Sequence, residues 1–194
     1  VVVGDIDSDE FKRWVERSLG NLPRGKYDPV SVPEIRIEKP AIDVTRRQLP
    51  TNYVQGVFNA PGLGHEDYYP MKIAIAILQA QIFQEVRVER QLSYAPNAEL
   101  NTNAANTGFI YVTTVSPNEA VSVMLDEMET LKNRLVNQRF LSSISGHFLT
   151  LHYLDQETNA AQARELAKYE LIGGGWRNAF EFLDKIKAVT PQQI

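Results

Sequence analysis

Met71, Ile75, Leu78, Ile82 and Val86 recur at steps of 4, 3, 4 and 4. That spacing sets five apolar side chains on one face of an α-helix, and such a face must be covered. The segments around it offer strands as the cover. Asp43–Ala60, "DVTRRQLPTNYVQGVFNA", reads as one or two strands, with Val54, Gly56, Phe58 and Ala60 on a shared face. Ser93–Leu100 and Gly108–Val115 read as a strand pair around "NTNAANTG", whose Asn and Gly residues suit a turn. "SPNE" (Ser116–Glu119) has the form of a capping box with Pro at the first helical position. A second stripe follows it: Val121, Met124, Met128, Leu131 and Leu135, at steps of 3, 4, 3 and 4. Helix continues from about Gln138 to Ile172, with a break near His152–Thr158, until "GGGW" (Gly173–Trp176) stops it. Residues 177–189 close with a short helix. The expected fold class is α+β: a layered sandwich of helices with a mixed or antiparallel sheet.

The two ends carry expectations of their own. Val1–Val3 and Ile6 predict a buried strand. Asp7 and Glu10 then cap a helix whose apolar face is Phe11, Trp14, Val15 and Leu19, and Gly20 and Pro23 end it. Residues 24–41 read as linker or edge strand. Thr190-Pro191-Gln192-Gln193 has the form of a helix start with no helix after it. Residues 1–194 are therefore expected to be a single domain cut from a longer chain, with 190–194 poorly ordered.

Composition removes whole classes of function. The net charge is −4, with acids and bases interspersed, which disfavours a nucleic-acid binder. No apolar run approaches the ~20 residues that a membrane span needs. There is no cysteine, so disulfides and thiolate metal sites are excluded. The three histidines are His65, His147 and His152; the latter two are five residues apart and point in different directions around a helix. No His-x-x-x-His pair is present, so no metal ligands are assigned. "GGGW" lacks the Lys-Ser/Thr of a phosphate loop and reads as a helix terminator, and no serine or threonine sits in a nucleophile elbow. No catalytic residue is assigned either.

One segment remains, "FQEVRVERQLSYAPNAEL" (Phe83–Leu100). Arg87 falls at the end of the apolar helix and Tyr94 at the start of the next strand. They can be an arginine on a helix surface and a tyrosine half-buried in a strand, or a short loop can fold them to one side. In the second case they offer a guanidinium fork and a phenol, donors suited to the carbonyl oxygens of an extended peptide.

The same segment resembles the arginine/tyrosine motif of the insulinase (pitrilysin-like) zinc metallopeptidases, in the processing-peptidase-like branch. Val86-Arg87, Arg90, Leu92 and Tyr94 carry the match. "VVVGDIDSDEFKRWVERSLGNLP", "LPTNYVQGVFNAPGLGHEDYYPMKIAIAIL" and "QETNAAQARELAKYELIGGG" resemble the same family, so the likeness spans essentially the whole chain. It implies the later subdomain of one half of a two-half clamshell. The other half would carry His-x-x-Glu-His, two histidines on zinc and a glutamate as general base. Arg87 and Tyr94 would be the substrate-binding pair. Zinc is then expected in a missing or partner domain, and no cofactor in this chain. The partners implied are an extended peptide and a homologous zinc-bearing half, in cis or in trans. The chain alone would not be catalytic. A noncatalytic scaffold or assembly subunit of the same fold, like the respiratory-complex core proteins, is the alternative. Bacterial members of the family point to the cell envelope or periplasm.

Overall fold

The computed structural model describes residues 1–26, 28 and 32–194. Its sheet has three antiparallel strands: β1 (Asn52–Ala60), β2 (Asn97–Leu100) and β3 (Asn106–Thr114), in the order β1-β3-β2. The fold is α+β, and of the two sheet types expected from sequence the antiparallel one is observed. Period-two patterning explains the sheet. Asn106, Gly108, Ile110, Val112 and Thr114 of β3 are buried, while Thr107, Phe109, Tyr111 and Thr113 between them are half-buried. Val54, Gly56, Phe58 and Ala60 of β1 share the inner side, and Tyr53 and Val57 face out. Phe58 pairs with Gly108 across the ladder. A Cβ on Gly108 would come within 2.3 Å of the Phe58 ring, so this position admits only glycine unless the ring moves.

Among the described residues seven helical segments accompany the sheet: α1 (Ser8–Leu19), α2 (Tyr68–Ile82), α3 (Pro117–Asn133), α4 (Gln138–Asp155), α5 (Asn159–Ile172), a 3₁₀ turn (Trp176–Glu181) and α6 (Phe182–Ala188). Helix α2 runs on without a break into a π-helical stretch, Phe83–Glu89. It packs against β2, α3, α4 and α6. That central position accounts for its composition. Nine of its 15 residues are buried, on every face, including Ile75, Leu78 and Ile82 of the predicted stripe. Val86 continues the stripe at zero exposure.

Some expectations are corrected and others hold. Val1–Val3 and Ile6 form no strand and are not buried, because no described strand lies beside them to pair with. Residues 24–41 contain no strand among the described ones, and Tyr27, Pro29, Val30 and Ser31 lie outside the described residues. Ile37 is instead fastened to β1 by the Asn59 side chain, which accepts from its N–H (2.9 Å) and donates to its C=O (3.3 Å). The second strand begins at Asn97, not Ser93. Ser116 is the N-cap of α3, but its side chain makes no capping bond; its own N–H donates to Thr114 Oγ1. Leu135 lies past the end of α3 and is exposed. The break in the long helix falls at 156–158, where the Thr158 side chain caps α5 by accepting from the Ala161 N–H. "GGGW" does terminate a helix: Gly174 and Gly175 adopt φ of +77° and +121°, conformations that side chains disfavour. Residues 190–193 form a single turn closed by Gln193 N–H to Thr190 C=O, and Ile194 packs against the core.

Candidate functional site

Arg87 lies in the π-helical stretch that prolongs α2, a rare form that recurs at functional positions. The helix ends abruptly. Arg90 N–H reaches back to Glu85 C=O, Leu92 N–H to Val86 C=O, and Gln91 between them takes a positive φ of 54°. A left-handed glutamine is strained, and it is this residue that turns the chain. The turn carries Tyr94 back over the helix. The Arg87 guanidinium carbon sits 4.1 Å from the centre of the Tyr94 ring and 4.9 Å from that of Phe83. The two residues singled out in the sequence are therefore in contact. Tyr94 is not half-buried in a strand but 78% exposed, in the loop three residues before β2.

That loop is pinned at each end. Thr114 Oγ1 donates to the Leu92 carbonyl (2.6 Å), and the buried Ser93 hydroxyl donates to the Thr113 carbonyl (2.7 Å). At the other end Gln79 acts like a peptide unit of a neighbouring strand: its amide donates to the Pro96 carbonyl and accepts from the Ala98 N–H. With helix and loop both fixed, the cation–π contact is presented by a stiff frame. Among the described residues neither the Arg87 guanidinium nor the Tyr94 hydroxyl hydrogen-bonds to the rest of the chain. Arg90 is engaged elsewhere, in an ion pair with Glu85. Glu127 on α3 faces that pair, and burial first, then the Glu85 charge, raises its carboxyl above the ordinary value.

Their placement on either side of a helix end made Arg87 and Tyr94 candidates, and the family resemblance singled them out. The spacing also contained a signal left unread: Gln79, Phe83 and Arg87 step by four and share one side of the helix. Ser93 and Thr114 had no comparable signal, since their bonds join residues 20 and 22 apart in the chain.

The histidines are dispersed. His65 Nδ1 accepts from the Asp67 N–H, His147 is exposed on α4, and His152 stacks on Phe182 at 5.1 Å. No group of three or more His, Asp or Glu side chains among the described residues is placed to hold a metal ion, so zinc does not fit here. Among the described residues no helix is long and apolar enough to cross a membrane. Two cavities, of about 380 and 190 Å³, share no lining residue with the Arg87–Tyr94 contact. The smaller holds Lys72, whose pKa is lowered by burial and then by Lys168. The buried hydroxyl pair Tyr69–Tyr169 lies beside it, with the Tyr169 phenol pushed up by burial and by that hydrogen bond.

A protein-family model described as "Peptidase M16 inactive domain" matches residues 1–142. The chain belongs to that family. The M16 inactive domain is the noncatalytic part of zinc-protease-like proteins, and the resemblance read in the sequence holds at this level. A search of curated protein sequences found no match. Among solved structures the domain is similar to the periplasmic protease PqqL from Escherichia coli, at 11% identity and TM-score 0.77 over 98% of this chain and 22% of that one. It is similar to a chain of complex III from Candida albicans, at 17% identity and TM-score 0.77 over 98% of this chain and 48% of that one. The ferredoxin protease FusC, crystallised with Arabidopsis ferredoxin, aligns at 14% identity and TM-score 0.68 over 98% of this chain and 22% of that one. The domain thus spans a fifth to a half of these chains, and at such identities the likeness establishes the fold alone.

Proposed function

We propose that this domain grips the extended backbone of a peptide through Arg87 and Tyr94, beside the zinc site of a homologous half. That half carries the metal, in cis or in trans. The observation that supports the reading is the 4.1 Å contact between guanidinium and phenol ring on a pinned loop, with both polar ends unspent among the described residues. Carbonyl oxygens occur in every peptide, so donors aimed at them hold a chain without strong side-chain preference. The protein bound in the FusC complex is consistent with a fold that accommodates polypeptide.

The test is turnover of a peptide by the domain combined with a zinc-bearing homologous half. Arg87→Ala and Tyr94→Phe are compared with wild type, both checked for an unchanged far-UV spectrum. Loss of a donor near a polarised carbonyl typically costs ~10²–10³ in kcat. Arg87→Ala is expected to lose the most. Arg87→Lys should rescue only part, because an ammonium lacks the planar fork. Wild-type turnover from both Arg87→Ala and Tyr94→Phe would defeat the reading. It would favour a scaffold subunit, the role suggested by the likeness to a complex III chain.

A further inference from the structure

Arg87 has two aromatic neighbours, and only one of them belongs to the pair just described. We infer that Phe83 is a third member of the grip, a positioning residue that acts through Arg87. The inference rests on the reading of Arg87 as the peptide donor. Phe83 sits one helical step before Arg87, at the junction where α2 passes into its π-helical stretch, and is 38% exposed. Its ring lies 4.9 Å from the guanidinium carbon. Phe83 lies outside the hydrophobic core cluster, whereas the adjacent Ile82 enters it at zero exposure.

What the ring does contribute is orientation. An arginine side chain has many rotamers, and freezing it on binding costs affinity. A guanidinium held against an aromatic ring is already confined, while its N–H edge stays open to acceptors. Tyr94 on its pinned loop supplies one aromatic contact at 4.1 Å, and Phe83 adds a second at 4.9 Å, so the guanidinium is confined by two rings instead of one. Phe83 has no polar end and is carried by the helix, so it provides the fixed wall. It touches no substrate itself.

The experiment titrates the isotope-labelled chain with an unstructured Ala/Ser-based peptide whose ends are blocked, so that backbone groups are the main acceptors. Four forms are compared: wild type, Arg87→Ala, Phe83→Leu and Phe83→Trp. An exposed cation–π contact is worth roughly 0.5–1 kcal/mol, so Phe83→Leu should weaken binding about two- to five-fold. Phe83→Trp should restore it, since indole is the stronger cation–π partner. In wild type the Arg87 Nε–Hε resonance should carry a ring-current displacement from Phe83 that Phe83→Leu removes and Phe83→Trp returns. A purely structural Phe83 would not tie that resonance to affinity. If Phe83→Leu keeps a native amide spectrum and wild-type affinity while Arg87→Ala loses binding, the inference falls and the grip stands. If Arg87→Ala binds as wild type does, the grip itself falls and the inference with it.

Discussion

The chain contains two regions that look alike in sequence and behave differently in the fold. Helix α1 and helix α2 each carry an apolar stripe. In α1, Phe11, Trp14, Val15 and Leu19 lie on one side, yet none of its 12 residues is buried and Trp14 is 56% exposed. In α2, nine of 15 residues are buried. The difference lies in what surrounds each helix. Residues 50–194 supply a sheet, α3 and the α4–α6 layer around α2, whereas no described element covers the stripe of α1. An apolar stripe announces that a partner is wanted; it does not specify that the partner is present.

The comparison is tested most severely at Ile82. Its side chain is fully enclosed where α2 meets its π-helical stretch. Ile82→Ala should cost about 2–5 kcal/mol, the range for opening a cavity of that size in a packed interior. A chemical-denaturation midpoint is the measurement. A loss below 1 kcal/mol, well under the usual cost, would mean that the enclosure of α2 is looser than its burial indicates.

The same contrast explains what could be read from the sequence. The α2 stripe, the shared face of β1, the strand at β3, the break before α5 and the glycine terminator were legible because each is local: the signal sits in a window of a few residues. The contact of Arg87 with Tyr94 was half legible. Their placement on either side of a helix end was visible, but the left-handed Gln91 that turns the chain was not. The pins that fix the loop were hidden. Thr114 to Leu92, Ser93 to Thr113 and Gln79 to Pro96 and Ala98 are bonds between elements, and no window spans them. Val1–Val3 failed for the opposite reason. A strand-like run becomes a strand only when another strand accepts its hydrogen bonds.

After residue 50, partial burial also touches charged groups. Glu127 is held above the ordinary carboxyl value of 4.5 by desolvation first, then by Glu85, with Arg90 opposing. A carboxyl whose pKa rises on folding binds its proton more tightly in the folded state. Stability from this group is therefore present below its unfolded pKa and lost as pH rises through the folded one. Glu127→Gln removes the ionisation. It should be slightly more stable than wild type at neutral pH, and the gap should close on acidification below the ordinary carboxyl range. Unfolding midpoints at several pH values measure it. A gap that widens in acid would mean that the Arg90 charge, not burial, governs the site.

The smallest expected effect lies on the other side of the comparison, at Trp14. In residues 50–194 a buried aromatic is tied to the core; Tyr68, for example, is 2% exposed and hydrogen-bonds to Thr102. Among the described aromatic rings Trp14 has only Phe11 beside it, with ring centres 6.1 Å apart. Helix α1 is held by local devices: the Asp7 carboxylate accepts from the N–H groups of Asp9 and Glu10, and Arg17 lies in the last turn. Twelve residues are marginal for a helix in water, so these devices decide whether α1 forms in the chain alone. Trp14→Ser should shift the global unfolding free energy by no more than ~0.5 kcal/mol, as for other exposed positions. Asp7→Ala, which removes the cap, should lower far-UV helicity and leave the same midpoint. If Trp14→Ser instead destabilises the chain on the scale of Ile82→Ala, α1 must be packed on the core in solution. The division between an uncovered helix and a covered one would then be wrong.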